Sequence, residues 1–219
     1  MLQELANRTA DAGSATFAPA DHLLGLVQRI VASRDNARIA LPGKGEIAIL
    51  PGRNEYYANV QDLAEFCRAP APLFRVTVFN AADLAFSPGS ARNIKDLLWL
   101  AAFHASQGLL PEGCSKYDVV QFRHWPNLTR LPVTQNAARI CALLTRHPTT
   151  LMLVHRVLGI DKEEVYRIYS AAYGAGIALK IGGHNLESAS NEAGVVDAQP
   201  EPVKARGLFR SLFAKISGL

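Results

Sequence analysis

The chain has 219 residues, of which 49% are hydrophobic and 19% are charged, and its formal net charge is +4. This composition excludes a fully disordered chain and provides enough apolar residues for one large or two small domains. No apolar run comes close to the roughly 18 residues of a membrane-spanning helix, and the N-terminus lacks a secretory signal. We therefore expect a cytoplasmic protein.

The three cysteines, Cys67, Cys114 and Cys141, are widely spaced and odd in number. This pattern predicts reduced thiols and not a disulfide framework. The pI of about 9.1 permits contact with nucleic acid or with an anionic membrane and requires neither.

The N-terminal half has mixed strand and helix patterns. Residues 1–19 are small and polar without an apolar period, which predicts a flexible leader. Apolar spacing predicts a helix from Asp21 onward. Beyond it, strands are predicted over 38–41, 46–50, 55–60 and 73–79, with Pro-Gly turns after the first two and a short helix over 61–68. Residues 20–125 are therefore predicted to form an α/β domain.

A second helical pattern covers residues 93–107 and ends at Gly108, and a weakly alternating segment follows over 116–123. The composition then becomes helical, which indicates a domain boundary near residue 126. Trp125 stands next to Pro126 at this boundary. We expect its large side chain to be buried where the two halves meet.

Three short helices are predicted within residues 126–183. The first covers 134–146 and stops before Pro148, the second starts at Thr149 or Thr150 and ends at Gly159, and the third opens with the Asp161-x-x-Glu164 pattern. An alternating strand over 177–181 resembles the first strand of a wing. The segment is therefore predicted to be a winged-helix-like domain, and the whole chain an α+β protein.

Such a unit can bind DNA through its third helix or can mediate protein contacts. The third helix has three acids against two bases, a poor composition for contacts with phosphates. Bases gather on the two earlier helices, where Arg139, Arg146 and Arg156 are candidates for nucleic-acid contact. The leading interpretation is a protein-interaction domain, and a DNA-binding transcription regulator is the alternative.

Four segments of the sequence carry a resemblance to known proteins. They are Ile94–Trp99, His124–Leu131, Ala142–Pro148 and Ala171–Gly176. Together they resemble a group of uncharacterised proteobacterial proteins of this size, and more loosely the regulators of surface motility and type IV pili. The resemblance covers about residues 93–181 and implies a helical C-terminal half that mediates protein contacts. It implies no catalytic residues.

No pattern for catalysis, cofactor or metal is found. The Pro-Gly-Lys-Gly-Glu segment at 42–46 lacks the spacing of a phosphate-binding loop and is predicted to be a hairpin turn. Cys141, His147 and His155 lack the spacing of a metal site. Cys114 lacks the signature of a catalytic thiol. We therefore expect a protein without enzymatic activity, cofactor, metal or small-molecule substrate.

The C-terminal tail is unusual. Residues 184–203 are predicted to be a flexible acidic linker. Residues 204–219 then form the pattern of a short basic amphipathic helix. Its candidate partner-binding residues are Leu208, Phe209, Leu212, Phe213, Ile216, Arg206 and Arg210.

Three interpretations of this tail stay open. It can lie on the protein's own surface, enter the groove of a protein partner, or bind an anionic membrane surface such as the inner face of the cell membrane. The function hypothesis is a non-enzymatic cytoplasmic adaptor or regulatory protein, with surface motility or pilus signalling as its expected context.

Overall fold

The computed structural model describes residues 16–80 and 90–182. The chain is a mixed α+β protein, as predicted. All of these residues belong to one compact unit. The predicted linker and the predicted tail helix lie outside the described residues.

The N-terminal elements alternate between strands and helices. They are β1 (Thr16–Phe17), α1 (Leu23–Ser33), β2 (Ala37–Leu41), β3 (Gly45–Leu50), β4 (Glu55–Val60), α2 (Leu63–Arg68), β5 (Arg75–Val78), β6 (Arg92–Asn93) and α3 (Ile94–Ser106). Strands β2 to β6 form an antiparallel sheet in the order β5-β2-β3-β4-β6. The predicted hairpin turn at 42–46 is confirmed, since Lys44 N donates to Leu41 O over 3.0 Å and joins β2 to β3.

The sheet buries one face against α1, α2 and α3. Alternate residues of β2 point into this core, so Ala37, Ile39 and Leu41 are buried. They form one hydrophobic cluster with residues from β3, β4 and the three helices. A strand presents every second side chain to one face, and a helix presents every third or fourth. The apolar residues of both elements therefore meet in the same layer.

The leader differs from the prediction at its end. Strand β1 pairs in parallel with β7 (Leu110–Pro111) and buries Phe17. Residues 16–19 are therefore part of the folded unit, although the predicted leader of residues 1–19 is mostly small and polar. Pairing with a strand distant in sequence has no local signature, which explains why the predicted leader extended to residue 19.

Helix α3 is packed on two sides. Ile94, Leu97, Ala101, Ala102 and Ala105 belong to the cluster beneath the N-terminal sheet, and Trp99 and Phe103 belong to a second cluster. Trp99 lies one position after Leu98 and off the helical stripe of Ile94, Leu97 and Ala101, yet it is fully buried. The reason is that α3 separates two cores and has an apolar face toward each.

The C-terminal elements are β8 (Val119–Phe122), α4 (Ala137–Arg146), β9 (Thr149–Thr150), α5 (Leu151–Leu158), α6 (Lys162–Gly174) and β10 (Ala178–Gly182). The three predicted helices are confirmed within a few residues. Thr150 caps α5 as predicted, because its hydroxyl accepts from Leu153 N. At the other end, Gly159 takes the left-handed conformation that ends a helix.

The small C-terminal sheet has the order β10-β8-β9. Strand β10, the predicted first strand of a wing, pairs antiparallel with β8, which precedes the three helices in the chain. In a wing formed by a local hairpin, β10 would pair with the strand that follows it in the chain. Within the described residues, the partner of β10 lies upstream.

The prediction for Trp125 is wrong. Its side chain is 49% exposed, whereas Trp99 is fully buried. The indole Nε1 of Trp99 donates to Pro132 O over 3.0 Å and so joins α3 to the segment before α4. The residue that connects the two parts of the chain through a buried indole is therefore Trp99.

Candidate functional site

The third helix of the predicted helix-turn-helix, α6, is buried on most of its surface. It contacts α3, α4, α5, β7 and β10. Its buried residues are Val165, Tyr166, Ile168, Tyr169, Ser170, Ala171, Ala172 and Gly174. Reading DNA in the major groove requires an exposed helix face. In α6, the corresponding face packs against α3.

The first two helices of the unit form its outer surface. On α5, Leu151 and Val154 are buried and Leu158 is partly buried. Val157 is 57% exposed. The stripe of buried residues runs through positions 151, 154 and 158, so Val157 lies on a different face, together with Leu153, which is 48% exposed.

The three candidate arginines occupy this surface in two ways. Arg139 donates from Nη1 to Asn136 Oδ1 and from Nη2 to Leu158 O, at 3.2 and 3.0 Å. Its guanidinium therefore holds α4 against the C-terminal end of α5, where a cation also complements the helix dipole. Arg146 and Arg156 are exposed and form no ion pair with any described residue.

The charge of this surface is one-sided. Residues 119–160 contain five arginines and three histidines but no Asp or Glu, whereas the whole chain has 19 acids in 219 residues. All five arginines are exposed: Arg123, Arg130, Arg139, Arg146 and Arg156. A scan for long stretches without acids would have found this signal in the sequence.

Exposed apolar side chains accompany these arginines. Trp125 and Val133 lie in the segment before α4, and Leu153 and Val157 lie on α5, with exposures between 40% and 57%. Isolated exposed apolar residues are common on protein surfaces. The pair on α5 is different, because two residues four positions apart make a continuous apolar strip along one helix face.

A cavity of about 510 Å³ lies between the C-terminal end of α3 and the N-terminal ends of α4 and α6. Its lining consists of Gln107, Gly108, Thr134, Gln135, Asp161, Glu163, Glu164 and Arg167. The Arg167 guanidinium carbon lies 5.3 Å from the centre of the Phe103 ring on α3, in cation-π geometry. Three carboxylates against one guanidinium would favour a cationic group over an anion in this cavity.

The opening of α6 differs from the predicted capping pattern. The Asp161 side chain makes no hydrogen bond to the first turn of its own helix. Glu164 instead accepts from the backbone N and the side-chain Nδ2 of Asn136, at 2.7 and 3.0 Å. The carboxylate therefore caps α4 and ties the first helix of the unit to the third.

Replacing Glu164 by alanine is expected to lower the free energy of unfolding by about 1 kcal/mol, as for other lost caps. Burial alone would raise the pKa of Glu164. The hydrogen bonds to its carboxylate together outweigh burial, so the pKa of the folded group lies below its ordinary value. Its contribution is therefore present above about pH 4.3 and is lost as the pH falls through the folded pKa. Urea unfolding at about pH 7 and about pH 3 measures this difference.

The matched control for this prediction is Glu163→Ala. Glu163 is exposed and its Oε1 lies 4.0 Å from Lys162 Nζ, so its loss should change stability by less than about 0.5 kcal/mol. An equal loss in both variants, or a Glu164→Ala effect that does not shrink at low pH, would show that the carboxylate does not cap α4.

A polar cluster surrounds Cys114, between β7 and β8. Tyr169 donates to Cys114 Sγ over 3.6 Å, and the Tyr169 and Tyr173 rings stack at 5.8 Å. Nearby, Lys180 Nζ lies 2.9 Å from Asp118 Oδ2 and donates to Gly113 O over 3.2 Å. These contacts hold β10 against the loop before β8, so the cluster has a structural role in the sheet.

The three thiols are expected to react differently with a thiol reagent. Cys67 and Cys141 are buried, and burial raises the pKa of each thiol to about 12. Cys114 is half-buried, and burial raises its pKa as well. We expect one slow reaction with Ellman's reagent in the native protein, lost in Cys114→Ser, and three reactions in denaturant. Two or more reactive thiols in the native protein would contradict this burial pattern.

The predicted partner-binding residues of the tail, between Arg206 and Ile216, lie outside the described residues. Among residues 16–80 and 90–182, no helix is long and apolar enough to cross a membrane. The same ranges contain no group of three His, Cys, Asp or Glu side chains arranged to hold a metal ion.

Comparisons with protein-family models, with curated proteins and with solved structures found no match to this chain. The resemblance to the proteobacterial group and to regulators of surface motility and pili therefore stays a prediction.

Proposed function

We propose that this protein is a non-enzymatic adaptor or regulatory protein that acts through contacts with other proteins. The observation that carries the proposal is the burial of α6. In a DNA-binding helix-turn-helix the third helix enters the major groove. Here eight of the thirteen residues of that helix are buried, and α3 packs along it. The unit works as a packed scaffold that presents α4 and α5.

The finer fold proposal is a winged-helix-like C-terminal domain over residues 126–183. Three helices with a short strand between the first two, followed by a strand, support it. The central strand of its sheet, β8, precedes the helices, so the domain would include residues from about 119 onward. The proposed site of action is the cytoplasm, in surface motility or pilus signalling, where the resemblance points.

A DNA-binding regulator is the second candidate, and the acid-free run of residues 119–160 favours it. Five exposed arginines can neutralise phosphates without base contacts. This binding would be independent of sequence and strongly weakened by salt. It would use α4 and α5 and would not use α6.

Two measurements with the full-length protein separate the candidates. The immobilised chain is exposed to nuclease-treated lysate of the producing cells, and retained proteins are purified and tested for binding in isolation. We expect at least one to bind as a purified component. In parallel, fluorescence anisotropy with a random-sequence DNA duplex is measured at about 0.05 M and about 0.2 M salt.

We expect no duplex binding at either salt concentration. Tight duplex binding at low salt that is lost at the higher salt, together with no purified protein that binds, would overturn the adaptor proposal in favour of the DNA-binding candidate. The nuclease treatment matters because proteins retained through contaminating nucleic acid would otherwise be counted as direct partners.

A further inference from the structure

The outer face of α4 and α5 combines an apolar strip with exposed arginines, and we name it the α4–α5 surface: Leu153 and Val157 with Arg139, Arg146 and Arg156. Leu153 and Val157 stand one helical turn apart and are 48% and 57% exposed. A strip of this kind accepts the apolar face of a second helix, whose side chains pack between its ridges.

Three exposed arginines accompany this strip, two on α4 and one on α5. Arg139 donates to Leu158 O and is therefore fixed at the C-terminal end of α5, next to Val157. Arg146 is the last residue of α4 and precedes the short connection to the start of α5. Arg156 is exposed on α5 itself, between the two apolar residues in sequence.

The charge of this surface defines the chemistry of its partner. No Asp or Glu occurs between Val119 and Ile160, and among the described residues no carboxylate forms an ion pair with Arg146 or Arg156. Guanidinium groups form forked hydrogen bonds with carboxylates. A complementary occupant therefore has Asp or Glu on both sides of an apolar stripe.

Two occupants from this chain are disfavoured by charge. A second copy would bring the same acid-free surface against itself, with like charges facing each other. The tail segment 204–219 has four bases, Lys204, Arg206, Arg210 and Lys215, and no acid. Its apolar residues suit the strip, but its charges repel the arginines.

We infer that the α4–α5 surface binds an acidic amphipathic helix of another protein. The inference rests on the proposed adaptor function and names the chemistry of the partner. The apolar strip supplies the contact area of the complex, and the arginines set the orientation of the incoming helix and accelerate its association.

The test uses the full-length protein and a synthetic fluorescein-labelled peptide as the probe. The peptide is an Ala-, Leu- and Glu-rich helix with leucines at positions i, i+4, i+7 and i+11 and glutamates beside them. Its control is a scrambled peptide of identical composition. We expect the patterned peptide to bind about tenfold more tightly than the scrambled one at low salt, and both to weaken as salt rises.

Two double variants locate the binding. Arg146→Glu with Arg156→Glu, and separately Leu153→Ser with Val157→Ser, are each expected to weaken binding of the patterned peptide by about tenfold. The matched control is Arg29→Glu with Arg75→Glu, which changes the net charge equally at exposed arginines of α1 and β5. The control is expected to change the affinity by less than about twofold.

Several outcomes would overturn the inference. The first is equal affinity of the protein for the patterned and the scrambled peptide, and the second is no binding of either peptide. The third is an equal loss of peptide affinity in the control variant and in Arg146→Glu with Arg156→Glu. Binding of the same variants to a DNA duplex or to phosphatidylserine vesicles is measured alongside. Suppose that the wild type binds the two peptides equally while the arginine variant loses binding to the duplex or to the vesicles. That result would assign the α4–α5 surface to nucleic acid or to lipid.

Failure of the inference is distinguishable from failure of the proposed function. A purified partner from the capture experiment that binds both double variants as tightly as the wild type would leave the adaptor proposal standing and would exclude the α4–α5 surface as its site. Far-UV circular dichroism and thermal unfolding of each variant confirm that the fold is retained. The substituted side chains are exposed, so these changes should be small.

Discussion

Replacing Trp99 by alanine is expected to lower the free energy of unfolding by about 3–5 kcal/mol, the usual cost of removing a large buried aromatic side chain. Trp99 is fully buried in the cluster formed by the C-terminal helices. The substitution also removes the hydrogen bond from its Nε1 to Pro132 O, which leaves that carbonyl without this donor. Equilibrium unfolding in urea, followed by far-UV circular dichroism, measures the change.

The second tryptophan provides a matched control. Trp125 is 49% exposed, and Trp125→Ala is expected to cost less than about 1 kcal/mol. The chain has only these two tryptophans, so the fluorescence of Trp125→Phe reports Trp99 alone and should be blue-shifted in the native state. A similar loss of stability in both alanine variants would contradict the assignment of Trp99 as the connecting residue.

Replacing Gly174 by valine is expected to lower the free energy of unfolding by about 3 kcal/mol. A Cβ atom at this position would lie 2.6 Å from Ala102 Cβ and 3.3 Å from Leu98 O. Both neighbours belong to α3, so the added atoms would push α6 away from α3 and disturb both cores. Overpacking of this kind typically costs about 1–3 kcal/mol, and a branched side chain reaches the upper end.

The control for Gly174 is Gly52→Val. Nothing lies within 4 Å of a Cβ built at Gly52, so the change should stay within about 0.5 kcal/mol. A coupled test replaces Gly174 by alanine in the presence and absence of Ala102→Gly, since the smaller neighbour makes room for the new methyl group. The two effects should be non-additive. Additive effects would show that the helices do not meet at these residues.

Local structure was readable from the sequence because its causes are local. The apolar spacing of residues 134–173 and the caps at Thr150 and Gly159 predicted the three C-terminal helices within a few residues. The Pro-Gly pair at 42–43 predicted the hairpin between β2 and β3. Backbone conformation and side-chain period act over a few residues, so one sequence is sufficient to detect them.

The partners of these elements were not readable in the same way. Glu164 has the spacing of a cap for its own helix but hydrogen-bonds to Asn136 on α4. A capping side chain can bond to any nearby free N–H group, and only the packing of α4 against α6 decides which one is near. The same holds for β10, whose antiparallel partner is β8 and not a following strand.

The candidate interaction surface was partly determined by the sequence. The absence of Asp and Glu from residues 119–160 is a property of the chain alone, and it establishes the sign of the charge wherever these residues are exposed. Which arginines are free depends on the fold. Arg139 bonds to Leu158 O across the two helices, while Arg146 and Arg156 form no ion pair with the described residues.

The amino-acid sequence by itself determined the mixed α+β composition of secondary structure and the three C-terminal helices, because periodicity, capping and turn chemistry act between neighbours in the chain. The tertiary structure decided the burial of α6, the exposure of Trp125 and the role of Trp99. The burial of α6 and the role of Trp99 depend on α3, which lies between two cores and packs along α6. Burial is a property of contacts between residues distant in sequence, so a helix that is amphipathic in isolation can still be covered on its second face.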